Sequence, residues 1–208
     1  MASEALERLY RECGSWYRLN WPADAPPPVF GDGRAERPPL MLIGEAPGQQ
    51  ETLQGKPFVG KAGKNLTEFL AAVGLERSEI YISNVVKFRP TRISAAGRTV
   101  NRPPTRGEIA GFLPWLYREI GIVRPAALVT LGNVALGAFV RDTTIGECHG
   151  RWRDAAVKTE ENATTAWPLF ALYHPASVIY NRSLAAVYRD DLLELKRTLA
   201  HCGGRADG

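Results

Sequence analysis

Residues 43–66 read IGEAPGQQETLQGKPFVGKAGKNL, and this stretch decides the fold. It follows an apolar run, Leu40 to Ile43, which reads as a buried strand. It leads into Asn65 to Leu75, where Leu66, Phe69, Leu70 and Val73 fall at helical spacing. A Gly- and Pro-rich loop between a strand and a helix is where an open α/β sheet places its ligand. Backbone N–H groups and the positive end of the helix dipole converge there, at the carboxyl end of the strand. Gly44, Gly48, Gly55, Gly60 and Gly63 allow close backbone approach, and Pro47 and Pro57 stiffen the loop. Glu45 and Glu51 add carboxylates, and Phe58 adds a large aromatic where a solvated loop is normally polar. A loop of this length is usually functional or disordered, and apolar Pro57-Phe58-Val59 argues against disorder.

Within it, Gly55 to Ala62 has the glycine and lysine spacing of a phosphate-binding P-loop. The magnesium-holding Ser or Thr after the lysine is replaced by Ala62, and no strand directly precedes Gly55. A nucleotide triphosphatase, or another phosphate-binding metabolic enzyme, is therefore disfavoured.

Outward from this loop, strands and helices alternate. Ser3 to Cys13 reads as a short helix capped by Ser3, with Leu6, Leu9 and Tyr10 on one face. Asn20 to Pro39 is Pro-rich and reads as a surface loop. Gly74 suits a helix C-cap. Glu79 to Val86 reads as a strand that delivers Asn84 near its end. Thr105 reads as the cap of a helix over Glu108 to Ile120, with Ile109, Phe112, Leu113, Leu116 and Ile120 inward. Ala126 to Leu131 is an apolar run typical of a strand covered on both faces. Asn133 to Val140 is a short helix. Gly150 to Val157 and Trp167 to Tyr173 read as strands around a polar turn, Lys158 to Thr165. The second of these is the fourth main strand and ends at His174-Pro175. The last helix spans Leu184 to Leu199, and the tail from Gly203 is expected to fray. The pattern predicts a three-layer α/β/α sandwich with a central four-stranded, mostly parallel sheet, in a single domain over residues 1–208.

Composition sets the class. Of 208 residues, 45% are hydrophobic and 23% charged, which are globular values. No apolar run reaches membrane-spanning length, and the acidic start lacks a signal peptide's apolar core. Both point to an intracellular, cytoplasmic protein with no membrane partner. Cys13, Cys148 and Cys202 lie far apart and predict free thiols in a reducing compartment. Net charge is only +4, but its distribution is uneven. Lys87, Arg89, Arg92, Arg98, Arg102 and Arg106 fall in one stretch, 87–106, that has no acidic residue. With its Pro, Gly and Ser it reads as a loop that contacts phosphates.

The stretch 43–66 closely resembles motif 1 of the uracil-DNA glycosylase superfamily, in its family 4 form. That motif is a GE(A/G)PG turn, a Glu shortly after it, then GxPFVGxAG and a Leu. Here these are Gly44 to Gly48, Glu51, Gly55 to Gly63 and Leu66. His174-Pro175-Ala176-Ser177 matches motif 2. The resemblance runs from about Cys13 to the last helix, with the specific signal in the two motifs and Asn84.

The resemblance implies excision of uracil from DNA, single- or double-stranded, by a monomer working on the nucleoid. A base inside a duplex must be flipped into a pocket to be reached. By the resemblance, Phe58 stacks on the base and Asn84 reads its edge. A carboxamide offers one donor and one acceptor, which fits uracil and misfits cytosine. His174 hydrogen-bonds O2, the backbone near Glu45 and Ala46 assists, and Glu51 helps exclude the thymine methyl. Glu45 is the candidate for orienting water, because Ala46 stands where other branches place an Asp. Ser177, Val178, Ile179 and Tyr180 form a loop that presses into the duplex. The basic stretch, Lys87 included, holds phosphates.

The chain departs from family 4 in two places. The family's iron–sulfur cluster uses four cysteines, and the matching positions here are Cys13, Trp16, Phe88 and about Phe112. One ligand of four is left, so no metal and no cofactor is expected, and the aromatic residues are expected to pack together instead. The basic stretch is also long. Relatives with an insertion there trap uracil-DNA through a loop histidine, but this stretch has Asn101 at that position and no histidine. Covalent trapping is not expected, and Asn101 is counted with the DNA-contacting residues. Two further readings stay open: a uracil- or abasic-site-binding protein of this fold with weak turnover, and a glycosylase for another deaminated base such as hypoxanthine.

Overall fold

The structure, a computed structural model, describes residues 2–72, 74–159, 164–181 and 183–202. The contribution of Val73 to its helix, the centre of the turn between Lys158 and Thr165, the tail from Gly203 and the side chains of Tyr180 and Cys202 lie outside the described residues. In chain order the elements are α1 (Ala2–Asn20), β1 (Asp32–Gly33), β2 (Leu40–Gly44), α2 (Gln49–Gln54), α3 (Lys61–Ala72), β3 (Tyr81–Asn84), β4 (Thr91–Ile93) and β5 (Thr99–Asn101). There follow α4 (Arg106–Val123), β6 (Ala127–Leu131), α5 (Asn133–Gly137), α6 (Ile145–Cys148), β7 (Trp152–Lys158), β8 (Thr164–Leu172), α7 (Pro175–Tyr180) and α8 (Leu184–Cys202).

The core is a parallel run of strands in the order β3-β2-β6-β8. Every residue of β2, β3 and β6 is buried, as expected for strands covered on both faces. Side chains alternate between two apolar clusters. Met41, Ile43 and Leu128 join α1 and α4 on one face. Leu40, Leu42 and Val129 join α3 and α8 on the other. The result is the expected α/β/α sandwich, with a correction to the sheet. Among the described residues it has six strands rather than four, because β1 and β7 pair antiparallel at its two edges. β1 is too short to show a pattern inside the Pro-rich stretch.

Local chemistry explains most element ends. Thr105 caps α4 as expected: its Oγ1 accepts from the Glu108 N–H at 3.2 Å, and the Glu108 carboxylate accepts from the Thr105 N–H at 2.6 Å. Helix α1 runs through Asn20 and starts at Ala2, so Ser3 is inside the helix and does not cap it. It buries Leu6, Leu9, Cys13 and Tyr17, largely against α4.

Several segments read as loops have structure of their own: the motif loop holds α2, and α3 begins at Lys61 rather than Asn65 and ends at Ala72. Residues 87–106 contain a β-hairpin, β4 with β5, in which Gly97 turns the chain at φ +72°. Its β-branched residues, Thr91, Ile93, Thr99 and Val100, were masked by the arginines between them. Ser177 to Tyr180 lie in α7, where Pro175 takes the first helical position. The segment expected to press on the duplex is thus one short helix.

The positions matching cluster cysteines are filled by an aromatic assembly. Trp16 meets Phe112 edge-on at 5.1 Å between ring centroids, and Phe112 packs on Phe88 at 5.9 Å. Trp21 bridges Trp16, Phe88 and Phe112 at 5.1–5.6 Å. Cys13 is buried nearby, and burial pushes its thiol up to about 12. A four-thiolate cluster does not fit this set of residues, with one thiol and three rings in mutual contact through Phe112 and Trp21. Rings of this kind supply apolar burial in its place.

Candidate active site at the carboxyl edge of the sheet

The parallel strands bring four segments to one edge: Gly44 at the end of β2, Asn84 at the end of β3, Gly132 after β6 and His174 after β8. Gly44 pairs in register with Asn84. A Cβ on Gly44 would stand 2.5 Å from Asn84 Oδ1 and 2.6 Å from Phe58 Cζ. The glycine is therefore required so that the carboxamide and the ring can converge over the strand end.

Phe58 is buried and adopts φ +53°, a costly backbone for a non-glycine residue. The loop over-determines it. Glu51 accepts from the Gly48 N–H at 3.1 Å, the Val59 N–H at 3.1 Å and the Gly60 N–H at 2.8 Å. Arg77 donates to the Phe58 carbonyl at 2.9 Å and also to the Pro57 carbonyl. A Cβ on Gly63 would collide with the Phe58 carbonyl. These contacts give the GxPFVGxAG spacing its physical meaning. Arg77 carried no signal in the sequence, since an arginine after a helix is ordinarily solvated. Glu51 emerges as the staple of the loop, with both oxygens engaged by backbone donors.

Asn84 is 2% exposed, and its Oδ1 has no hydrogen-bond partner in the protein. Buried amide oxygens are nearly always satisfied, so this orphan close to the Phe58 ring makes Asn84 a candidate ligand-reading group.

His174 completes the site, its ring centroid 5.8 Å from that of Phe58. Its Nδ1 accepts from the Ala176 N–H at 3.1 Å. An accepting Nδ1 places the proton on Nε2 and makes the ring neutral. Burial lowers the pKa of His174 from 6.5, opposed by the negative charge of Glu51. Gly132, at φ +86°, lets the chain pass the imidazole: a Cβ there would sit 3.1 Å from His174 Cβ. Glu45 is half-buried beside the site, and burial raises its pKa above 4.5. Ala46 packs partly buried against the core, and the backbone there is held by the Val86 N–H to Glu45 carbonyl bond at 3.0 Å.

These directions set a pH dependence. The neutral imidazole is the form above its depressed pKa; protonation on acidification would turn Nδ1 into a donor facing the Ala176 N–H. Glu45 loses its charge in the same direction. The acid limb that His174 protonation puts on turnover is expected to be centred below pH 6.5, the ordinary histidine value. A pH–rate profile of kcat checks this, and an acid limb centred above pH 6.5 contradicts it.

The basic residues divide. Arg92, Arg98 and Arg106 are exposed on or beside the hairpin. Arg89 is half-buried and donates to Asn101 Oδ1 at 2.7 Å, while Asn101 Nδ2 lies beside Gly48. Arg102 grips Glu108 through two bonds, 2.6 and 2.8 Å, and ties the hairpin base to α4. Lys87 corrects an expectation: it is 1% exposed and bonded to Glu119 at 2.6 Å, so it does not reach phosphates. On α7, Ile179 is exposed at 38%, and Ser177 and Val178 are half-buried.

Comparison with known proteins agrees with this geometry. The family model of the Uracil DNA glycosylase superfamily matches residues 30–196. A Type-4 uracil-DNA glycosylase of Archaeoglobus fulgidus is 35% identical over 198 residues, covering 92% of each chain. The Pyrobaculum aerophilum Type-4 enzyme is 33% identical over 200 residues, again 92% of each chain. That of Sulfurisphaera tokodaii is 35% identical over 208 residues, 93% of this chain and 84% of its own. A glycine strand end, an orphan carboxamide and a neutral histidine meet at one sheet edge, and by the family match over residues 30–196 and these relatives the chain belongs to the uracil-DNA glycosylase superfamily.

Proposed function

We propose that this protein is a DNA repair glycosylase that hydrolyses the N-glycosidic bond of deoxyuridine, releasing uracil and leaving an abasic site. The observation that carries the reading is the buried, unpartnered Asn84 Oδ1 beside Phe58 and the Gly44 floor. Asn84 Oδ1 accepts the uracil N3–H, and its amide donates to the neighbouring carbonyl. Phe58 covers the ring. Glu51 acts on thymine exclusion through the loop it staples. His174 donates from Nε2 to uracil O2, where negative charge gathers as the C1′–N1 bond breaks. Water, oriented by Glu45, adds to C1′ and gives its proton to solvent or to the carboxylate. The backbone at Ala46 lines the same corner.

Residues 1–208 act as a single domain and a monomer, on uracil-containing DNA at the nucleoid. Phosphates are held by Arg89, Arg92, Arg98, Asn101, Arg102 and Arg106, and the duplex is met by Ser177, Val178, Ile179 and Tyr180 on α7. Among the described residues no helix is long and apolar enough to cross a membrane.

The test is Asn84→Ala. Loss of a paired donor and acceptor costs about 2 kcal/mol, roughly 30-fold in kcat/KM for uracil excision, with binding to undamaged DNA kept. Wild-type excision by that variant removes Asn84 from the pocket. A specific observation also favours a second reading. The motif 1 turn supplies Ala46 in place of a carboxylate, which suits a protein that binds the lesion and turns over slowly.

A further inference from the structure

The buried charge at Lys87 has no part in the chemistry above, yet it touches the residue that reads the base. The Lys87 and Glu119 side chains are 2% and 0% exposed. All three ammonium hydrogens are used: Nζ donates to Glu119 Oε2 at 2.6 Å, Ser83 Oγ at 2.7 Å and the Asn84 carbonyl at 2.8 Å. Ser83 Oγ donates in turn to Glu119 Oε2 at 2.8 Å. The other carboxylate oxygen, Oε1, accepts from Tyr10 at 2.7 Å and Tyr81 at 3.1 Å. Every polar atom in the cluster is thus spoken for, and the cluster joins α1, α4 and β3.

Stability does not explain it. A buried ion pair is commonly no better than apolar side chains of the same volume, because desolvation offsets the attraction. Its distinctive contact is the one at the pocket wall. The Asn84 carboxamide has no protein partner at Oδ1, so its direction is set by packing and by its own backbone. That backbone is pinned on one side of the next peptide by the Val85 N–H to Gly44 carbonyl bond at 2.9 Å, and on the other by Lys87. We propose that Lys87, clamped by Glu119 and Ser83, is a positioning residue that fixes the Asn84 backbone and so aims its carboxamide at the base. This rests on the reading that Asn84 recognises the uracil edge.

The test is the double variant Lys87→Met/Glu119→Gln. It removes both charges and nearly preserves volume. The carboxamide introduced at position 119 still accepts from Tyr10 and Tyr81 and donates to Ser83, while the Asn84 carbonyl loses its donor. Folding is read by a cooperative melt. The expected result is a fall of about tenfold in kcat for uracil excision, with KM and undamaged-DNA binding unchanged. Adding Asn84→Ala costs no more than Asn84→Ala alone, because Lys87 acts through that side chain. A folded variant with wild-type kcat overturns the proposal, as does a loss that multiplies with that of Asn84→Ala. If the double variant does not fold, Ser83→Ala is read instead. It keeps the ion pair but drops one of the lysine's bonds, and a fall of about threefold supports the proposal while an unchanged kcat overturns it. A wild-type protein that excises no uracil sinks the function reading and this proposal with it; an active wild type beside an equally active variant sinks this proposal alone.

Discussion

His174→Ala lowers kcat for uracil excision by roughly 100-fold, a loss of about 3 kcal/mol, as expected for removal of one preorganised donor at a developing oxyanion. The imidazole is suited to this because its Nδ1 is occupied by the Ala176 N–H at 3.1 Å, leaving Nε2–H to donate. Its neutrality matters as well: burial holds its pKa below 6.5, so the donor needs no proton from solution. The same substitution removes the N-cap of α7, which costs about 1 kcal/mol of stability. The two effects separate in single-turnover kinetics run well below the melting temperature. A variant that excises at the wild-type rate while melting lower would leave His174 as a cap and nothing more.

Phe112→Ala destabilises the fold by about 4 kcal/mol, the usual scale for truncating a buried ring that its surroundings cannot refill. In a domain of this size that lowers the melting temperature by about 10 °C. Phe112 is 0% exposed and meets Trp16, Trp21, Phe88 and Tyr17 at 5.1–6.1 Å. With Trp21 it is a ring that the others share, at a position where the family 4 resemblance implied a cluster ligand. Thermal unfolding followed by circular dichroism checks it. A loss under about 1 kcal/mol would mean that the assembly is ornamental and that stability comes from elsewhere in the helix layer.

The sequence made the parallel core legible because its strands are covered on both faces and read as continuous apolar runs. Leu40 to Ile43 and Ala126 to Leu131 are such runs, and each strand lies within a residue of its expected bounds. The edges were hidden for the opposite reason. β1 has two residues and draws its place from pairing with β3, a partner far along the chain. The hairpin at Thr91–Asn101 was hidden by charge, since arginines alternate with its β-branched residues.

The site divides along the same line. Motif spacing located Phe58 and His174, and the strand end with the family resemblance located Asn84; the structure brings all three to one edge of the sheet. What spacing could not carry was the hydrogen bonding that holds them. Arg77 reaches back across the loop to the Phe58 carbonyl, and Glu119 reaches from α4 to Lys87. Both act over long separations on backbone or buried charge, and neither residue type in isolation signals it. Lys87 shows the cost of reading charge without burial: in a run of arginines it looks like a phosphate contact, yet its neighbour on the next helix takes it inside.

The most direct measurement of the central claim is excision from a labelled oligonucleotide containing one uracil, single- and double-stranded, with substrate in excess and alkaline cleavage of abasic sites. Several turnovers per protein are expected, with near-total loss in His174→Ala. A single burst, or no cleavage with tight binding to the uracil strand, would contradict the claim and assign this pocket to lesion binding.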